Sequence, residues 1–484
     1  MQSAPAGRVC PRSPTSRRLP FALHASILIA LLAASSAPTP LYTRYQAQWQ
    51  LSALDITVVF SAYALALLAA LLTTGTLSEH LGRRPVLLGA LLLQVAAMLL
   101  FATAGGLTAL IVARLLQGIA TGAATSAAGA ALLDLEDPAR PGRSALANSV
   151  SPVAGMAAGV MTATLLVLFA PAPTTTVYVA LAALFAVQAV ALSRIPETVR
   201  ARPGALRSTR PHLTLPAAAR GAFLRNGAGV VAVWALGGFY SSLGPAFTRL
   251  VSPGGPEAAG GLVFFTLTSV AALTVFLTRR TRAGLSALLG CCAVIPAAGL
   301  SLCALLLDSP VPLFVGAALA GFGFGAVSQG ALRAVLSPVA AREKSGTLAS
   351  YYVLSYLAMS LPAIGAGVLT AACGLRTTAV AYAGCVAVLA AIAVAALFRS
   401  TRSTHPAHPA HAPHPARPAH SAHPARPARP ARPARSARSA PGSPPPTRVT
   451  RRVSGAVRPT LDGATGAAEA AANADNHSLT TTDK

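Results

Sequence analysis

Gly75 to Pro85 reads GTLSEHLGRRP, a short charged segment set between two long apolar runs. Residues 55–74 precede it and residues 86–104 follow it, each close to the roughly 20 apolar residues that a helix needs to cross a hydrocarbon core. The segment therefore reads as a hairpin loop between two membrane-crossing helices. Gly75 and Gly82 permit close helix approach and a sharp turn. Arg83 and Arg84 supply the positive charge that keeps a loop on the cytoplasmic side.

The same alternation runs through most of the chain. Of 484 residues, 54% are hydrophobic and 11% charged, whereas soluble proteins carry about a quarter charged residues. This composition excludes an ordinary soluble domain. A net charge of +25 would point to nucleic acid if it were spread over a globular surface, but the arginines sit in loops and in a tail, so no nucleic-acid partner is expected. The six cysteines are Cys10, Cys291, Cys292, Cys303, Cys373 and Cys385, without a C-x-x-C pair. They read as small packing residues, and no metal or cofactor is expected.

The apolar runs are 21–41, 55–77, 85–104, 107–133, 144–170 and 175–193, then 221–247, 258–278, 283–307, 311–336, 346–372 and 376–398. Six plus six predicts an all-α integral membrane protein of about 12 transmembrane helices in two pseudo-symmetric six-helix bundles. The expected divisions are an N-terminal tail (1–20), a first bundle (21–193), a linker (194–220), a second bundle (221–398) and a tail (399–484). The opening segment has the shape of a signal peptide with cleavage near Ala37, but its apolar tract continues through Pro38 and Pro40 to Tyr42, which favours an uncleaved first helix. Alternate loops hold 23 Lys and Arg on one side and only Arg44, Arg249 and Arg376 on the other. That bias places both termini in the cytoplasm, with the chain multi-pass in the plasma membrane. From Arg399 the chain turns into His-Pro-Ala and Arg-Pro-Ala repeats that read as a disordered extension able to lie on anionic lipid. His405, His408, His411 and His414 could in principle collect a metal ion there.

The 75–84 loop resembles the loop between helices 2 and 3 of the major facilitator superfamily, G-x-L-(A/S)-D-(R/K)-x-G-R-(R/K). Gly75, Leu77, Ser78, Gly82, Arg83 and Arg84 match, while Glu79 stands where the family has Asp and His80 where it has Arg or Lys. APTPLY, residues 37–42, resembles the end of helix 1 in bacterial drug-efflux relatives, and Arg114 heads RLLQG, which resembles the helix 4 motif R-x-x-x-G. The resemblance implies a secondary transporter that rocks two bundles around a midplane site. Among branches it is most similar to the drug:proton antiporters, implying a small lipophilic substrate, protons as a second partner, export as the direction and a monomer in the bilayer. In helix 5, Gly155 and Gly159 match the antiporter pattern, but Val160 replaces its proline and Ala163 and Thr164 its last glycines, so antiport is a weaker implication than transport. Uptake or uniport of a sugar or metabolite stays open. A membrane-embedded enzyme is disfavoured, since no nucleophile with a base and no nucleotide loop is present.

Arg114 is the most informative single residue, because a charge inside a membrane helix persists mainly where it faces a partner or a water-filled cavity. By resemblance, Gly75, Glu79, Gly82, Arg83 and Arg84 form a cytoplasmic gate with Asp134, for which Glu136 and Asp137 are alternates. In relatives the loop acid faces the start of helix 11. Proton coupling needs a titratable group within reach of the cavity, yet no carboxylate lies in the middle of any run. Asp55 is the best candidate, although a helix cap is its simpler role, with Asp308 and His24 behind it. Helices 1, 4, 7 and 10 of the fold would line the cavity, making Tyr63, Gln117, Gly118, Trp234, Tyr240, Gln329, Tyr352 and Tyr356 its candidate contacts. The pair Gln117-Gly118 is echoed by Gln329-Gly330, the trace expected of a duplicated half.

Overall fold

The computed structural model describes residues 14–199, 202–205, 209 and 213–403; the first residues and the His/Arg-rich tail lie outside them. The helices that cross are α1 (Pro14–Ser36), α2 (Ala53–Thr74), α3 (Arg83–Ala102), α4 (Leu107–Asp134), α5 (Arg143–Phe169) and α6 (Pro173–Ser193). The second half holds α7 (Ala217–Ser242), α8 (Ala259–Leu277), α9 (Ala283–Leu307) and α10 (Pro310–Leu336). The last helical stretch, Lys344–Ser403, breaks at Gly374, whose φ of 80° only glycine adopts without strain, and so supplies two crossings, α11 (344–373) and α12 (375–403). Among the described residues eleven helices are long and apolar enough to cross a bilayer, and the break at Gly374 divides the last into two, giving twelve crossings.

Helix ends follow local chemistry. At the start of α2, the Ser52 hydroxyl accepts from the Asp55 amide at 3.1 Å, while Asp55 accepts from the Ser52 amide at 2.8 Å. This reciprocal box satisfies two of the amide groups that a helix start leaves orphaned. The first helix ends earlier than the apolar tract: α1 stops at Ser36, and Thr39–Leu41 forms a single 3-10 turn before a short helix at Tyr42–Trp49. The cause is Pro38 and Pro40, which lack the N–H that a continuing helix would donate. In the second half, α7 begins at Ala217 after Pro216, so residues 217–220 belong to the helix and not to the linker.

The two halves pack alike. In the first, α1 lies against α5, α4 against α2 and α3, and α3 against α6; in the second, α7 lies against α11, α10 against α8 and α9, and α9 against α12. The bundles meet along α2 with α11 and α5 with α8. Lipid gives helices no hydrophobic reason to associate, so close backbone approach carries the packing. A Cβ on Gly159 would sit 2.1 Å from the Ala33 carbonyl oxygen, and one on Gly155 2.4 Å from that of Ile29. The glycines that resemble the antiporter pattern thus clamp α5 to α1.

The internal echo has a different register from the one the sequence offers. Gly118 and Gly122 of α4 press on the carbonyls of Tyr63 and Leu67 in α2, and in the second half Gly321 and Gly325 of α10 press on Leu267 and Ala271 in α8. The structural mate of Gly118 is therefore Gly321. Gly330 presses instead on Ala283 and Ala287 of α9.

Candidate functional site

The termini side of the bundle, which carries the 75–82 loop and the 194–216 linker, is called the basic face below; the opposite end is the far face. Arg114 lies on α4 nearer the far face and is 1% exposed. One terminal nitrogen donates to the Ser35 carbonyl at 3.0 Å and to Gln117 Oε1 at 2.8 Å, and the other donates to the Tyr42 hydroxyl. Gln117 in turn donates to the Ala34 carbonyl at 2.9 Å. These carbonyls belong to the last turn of α1. In an uninterrupted helix the Ala34 oxygen would take the N–H of residue 38, but that residue is Pro38. The APTP segment thus frees acceptors at the negative end of the α1 dipole, and Arg114 with Gln117 occupies them. The rings of Tyr63, Tyr42 and Phe101 surround the guanidinium at 5.3, 5.7 and 5.8 Å from their centroids, within cation–π range. No carboxylate pairs with it among the described residues.

Beyond Tyr63 lies an aromatic group shared by both bundles. Tyr63 of α2 packs in one apolar cluster with Leu67, Tyr356 and Met359. Trp234 of α7 meets Tyr356 of α11 and Phe324 of α10, each at 5.3 Å, and Tyr352 lies 6.1 Å from Tyr356. Tyr63 of α2 lies within hydrogen-bonding reach of Ser35 and of Thr121 on α4, and Trp234 of α7 within reach of Tyr351. Two expected cavity residues are elsewhere. Tyr240 is 1% exposed, with its hydroxyl 2.9 Å from Ser301 inside the second bundle. Gln329 accepts from Thr278 at 3.1 Å near the basic end of α10; one helical turn in register separates a midplane position from an end position. Asp55 is occupied by its capping box, so it stands as a helix cap.

At the basic face, Arg83 donates through Nε to Asp134 at 3.2 Å and through a terminal nitrogen to Ser78 at 2.7 Å. Asp134 is thus the partner among the three acids. Glu136 instead accepts from the Gly142 amide and the Ser144 hydroxyl, and these bonds, the hydroxyl first, hold its carboxyl below the usual range. Glu197 at the start of the linker caps α3, accepting from the Arg83 and Arg84 amides at 3.0 and 2.9 Å. The Arg84 side chain donates to the Ser193 carbonyl. Gly82 makes this possible, with φ 101° and no Cβ to strike the Glu197 carboxylate 2.7 Å away. Gly75 ends α2 against the Leu71 carbonyl. Glu79 is exposed and takes part in no ion pair among the described residues. Among the described residues, the basic-face bonds of Arg83, Asp134 and Glu197 join parts of the first bundle to one another or to the start of the linker.

The far face does the opposite. Arg44, following α1, donates two bonds to Glu257 before α8, at 2.5 and 2.8 Å. The Arg44 guanidinium holds the Glu257 carboxyl below its usual range, first through the hydrogen bond and then through charge. Thr39 donates to the Ser241 carbonyl at 3.2 Å, and Ser61 of α2 to that of Ser360 in α11 at 3.3 Å. A Cβ on Gly367 would lie 2.1 Å from Thr57 Oγ1. Each of these contacts joins one bundle to the other.

A family model, the Major Facilitator Superfamily, matches residues 23–360. The chain belongs to this superfamily. A search of curated proteins gave no match. Among solved structures, a bacterial homologue of the human lysosomal transporter Spinster, inward-facing and unoccupied, is 15% identical over 81% of this chain and 98% of its own, with a TM-score of 0.64. The POT family transporter PepTSo is 12% identical over 81% and 99%, TM-score 0.65. The human organic anion transporter TETRAN is 19% identical over 79% and 100%, TM-score 0.56. Identities this low establish the shared fold, and together with the family they make the chain a multi-pass membrane transporter.

In this superfamily member, sequence reasoning overlooked two residues that tie segments together. Glu197 stands in RIPET, visible as the exit of α6, but its role depends on Gly82 bringing two free amides to it. Glu257 is an acid in a far-face loop that otherwise holds Arg249, and only the fold brings it to Arg44.

Proposed function

We propose that the chain carries a small, largely apolar organic molecule across the plasma membrane by alternating access, with the basic face in the cytoplasm. The observation that carries this reading is the asymmetry of the inter-bundle bonds. The far face is cross-linked between bundles by Arg44–Glu257, while Arg83 and Asp134 at the basic face pair within one bundle and Glu79 has no ion-pair partner among the described residues. This is the inward-facing arrangement. Gly75, Gly82, Arg83, Arg84 and Asp134 shape the loop that Glu79 would carry toward α11 when the basic face closes. Tyr63, Trp234, Tyr352 and Tyr356 form the substrate site, and Arg114 with Gln117 fixes α1 to α4 beside it.

The gate loop and helix 4 motifs, similar to those of drug exporters, support proton-driven export. One observation favours a second reading, uncoupled uniport: every carboxylate among the described residues lies at a helix end or in a loop, so none can relay a proton at the midplane. Purified protein in liposomes with an internal pH dye decides between them. Substrate-dependent proton movement that Arg114→Ala abolishes supports coupled export. Solute flux with no pH change supports uniport, and absence of flux for every compound screened removes the transport proposal.

A further inference from the structure

An apolar groove of about 420 Å³ runs along the second bundle between α7 and α11. Phe223 and Val231 form its α7 wall, and on α11 it extends from Ser350, its one polar lining residue, past Val353 and Leu357 to Pro362. At 1.5 Å per residue that stretch of α11 is about 18 Å long. Ser350 lies less than two turns from the start of α11 at Lys344, and one leaflet supplies about half of a 30 Å hydrocarbon core. The groove therefore spans the leaflet at the basic face. It is turned toward lipid. In the far half of α11, where Gly367 is pressed on Thr57 of the other bundle, Val368 is still 53% exposed, and Leu361, two turns earlier on the same stripe, is 57% exposed. Tyr356, Ser360 and Gly367, which meet α2, lie about a third of a turn round the helix from that stripe.

The mouth of the groove is basic. Arg220 stands one turn before Phe223 on the same face of α7, exposed, with its Nε donating to the Leu215 carbonyl at 3.2 Å. Arg342 and Lys344 are exposed at the start of α11. The acid between them, Glu343, forms no ion pair among the described residues, and neither do the three cations, so the mouth keeps a net positive charge. We infer that the groove holds one phospholipid with an anionic headgroup, an acyl chain lying between α7 and α11 and the phosphate at Arg220, Arg342 and Lys344. A zwitterionic lipid fills the groove equally well but brings its own cation to a basic mouth, whereas clustered basic residues next to a membrane select anionic headgroups. A soluble phosphate matches the mouth and leaves the apolar groove empty. The site lies on the lipid side of the second bundle, so it is independent of whether, and in which direction, the chain transports a solute.

Native mass spectrometry of the full-length protein in detergent, titrated with dioleoylphosphatidylglycerol or dioleoylphosphatidylcholine, reads the bound lipid directly. The phosphatidylglycerol is expected to bind with a stoichiometry of one, at least about tenfold more tightly than the phosphatidylcholine. Arg220→Gln with Lys344→Gln should weaken it by about fivefold per charge removed and leave the phosphatidylcholine unchanged. Arg280→Gln with Arg282→Gln removes the same charge from the loop between α8 and α9, away from the groove, and should change neither lipid by more than about twofold. Val353→Trp, which fills the groove, should weaken both lipids. Should that variant not fold, the two exposed arginine and lysine pairs decide alone. Equal binding of the two lipids, an equal loss in the Arg280/Arg282 variant, or full phosphatidylglycerol affinity in a folded Val353→Trp overturns the inference. So does displacement of the bound phosphatidylglycerol by glycerol 3-phosphate, which would show that the headgroup binds without the groove.

Discussion

At the far face Arg44 of one bundle grips Glu257 of the other, whereas at the basic face Arg83 grips Asp134 of its own bundle. Both are single arginine–carboxylate pairs of ordinary geometry, yet one can hold a conformation and the other cannot. A bond between bundles exists in only one state of a rocking carrier, so its free energy shifts the equilibrium between states. A bond within a bundle is present in both states and shifts nothing. Under the proposed alternating access, the difference would assign Arg44 and Glu257 to the conformational balance and Arg83, Asp134 and Glu197 to the shape of one moving part.

The most severe way to break the contrast is to make the far-face closure permanent. Thr57→Cys with Gly367→Cys, in a background lacking the native cysteines, brings together two sites whose Cβ atoms would lie 3.2 Å apart, close to disulfide geometry. Oxidation is expected to abolish solute flux in liposomes and a reductant to restore it. Glu257→Gln removes the latch without adding a crosslink. Since both side chains are about one-third exposed, 33% and 39%, and exposed pairs contribute about 0.2–1 kcal/mol, the far-face-open population should rise about 1.4- to fivefold. Thiol labelling of a Gln50→Cys reporter would follow that rise; an unchanged labelling rate argues against a latch.

Acid offers a gentler perturbation. The Glu257 carboxyl is lowered from 4.5 by Arg44, so the pair is complete at neutral pH and persists until the outer pH falls through that depressed value. Protonation then removes the bond, and the far face opens more readily with falling pH, an effect absent from Glu257→Gln. The smallest change is expected from Ser52→Ala. It removes the cap of α2, which costs about 1 kcal/mol and should lower the midpoint of thermal unfolding slightly while leaving the balance of the two faces untouched.

The crossings were legible because lipid demands long apolar runs whatever their neighbours, and the 75–84 loop because its glycines and arginines act locally. Arg114 was legible as an anomaly, but its partners were not: they are backbone carbonyls released by Pro38, and a carbonyl has no letter in the sequence. Gln117-Gly118 and Gln329-Gly330 look alike as text, yet close packing selects Gly321 as the mate of Gly118, because what matters is which residue meets a facing carbonyl. Tyr240 illustrates the same limit. Nothing in an apolar helix marks which side faces the cavity, and Tyr240 turns to Ser301 inside its own bundle.

The most direct test of alternating access is a pair of distance distributions measured by electron–electron resonance in liposomes. One pair of labels sits at Gln50 and Gly254 across the far face, the other at Glu79 and Lys344 across the basic face. In the otherwise unaltered chain the far-face distribution should be short and narrow and the basic-face distribution longer. Glu257→Lys, which sets a like charge against Arg44, should create a second population with the far-face distance lengthened and the basic-face distance shortened together. Distances that stay fixed, or that lengthen at both faces, would contradict the proposed rocking of two bundles.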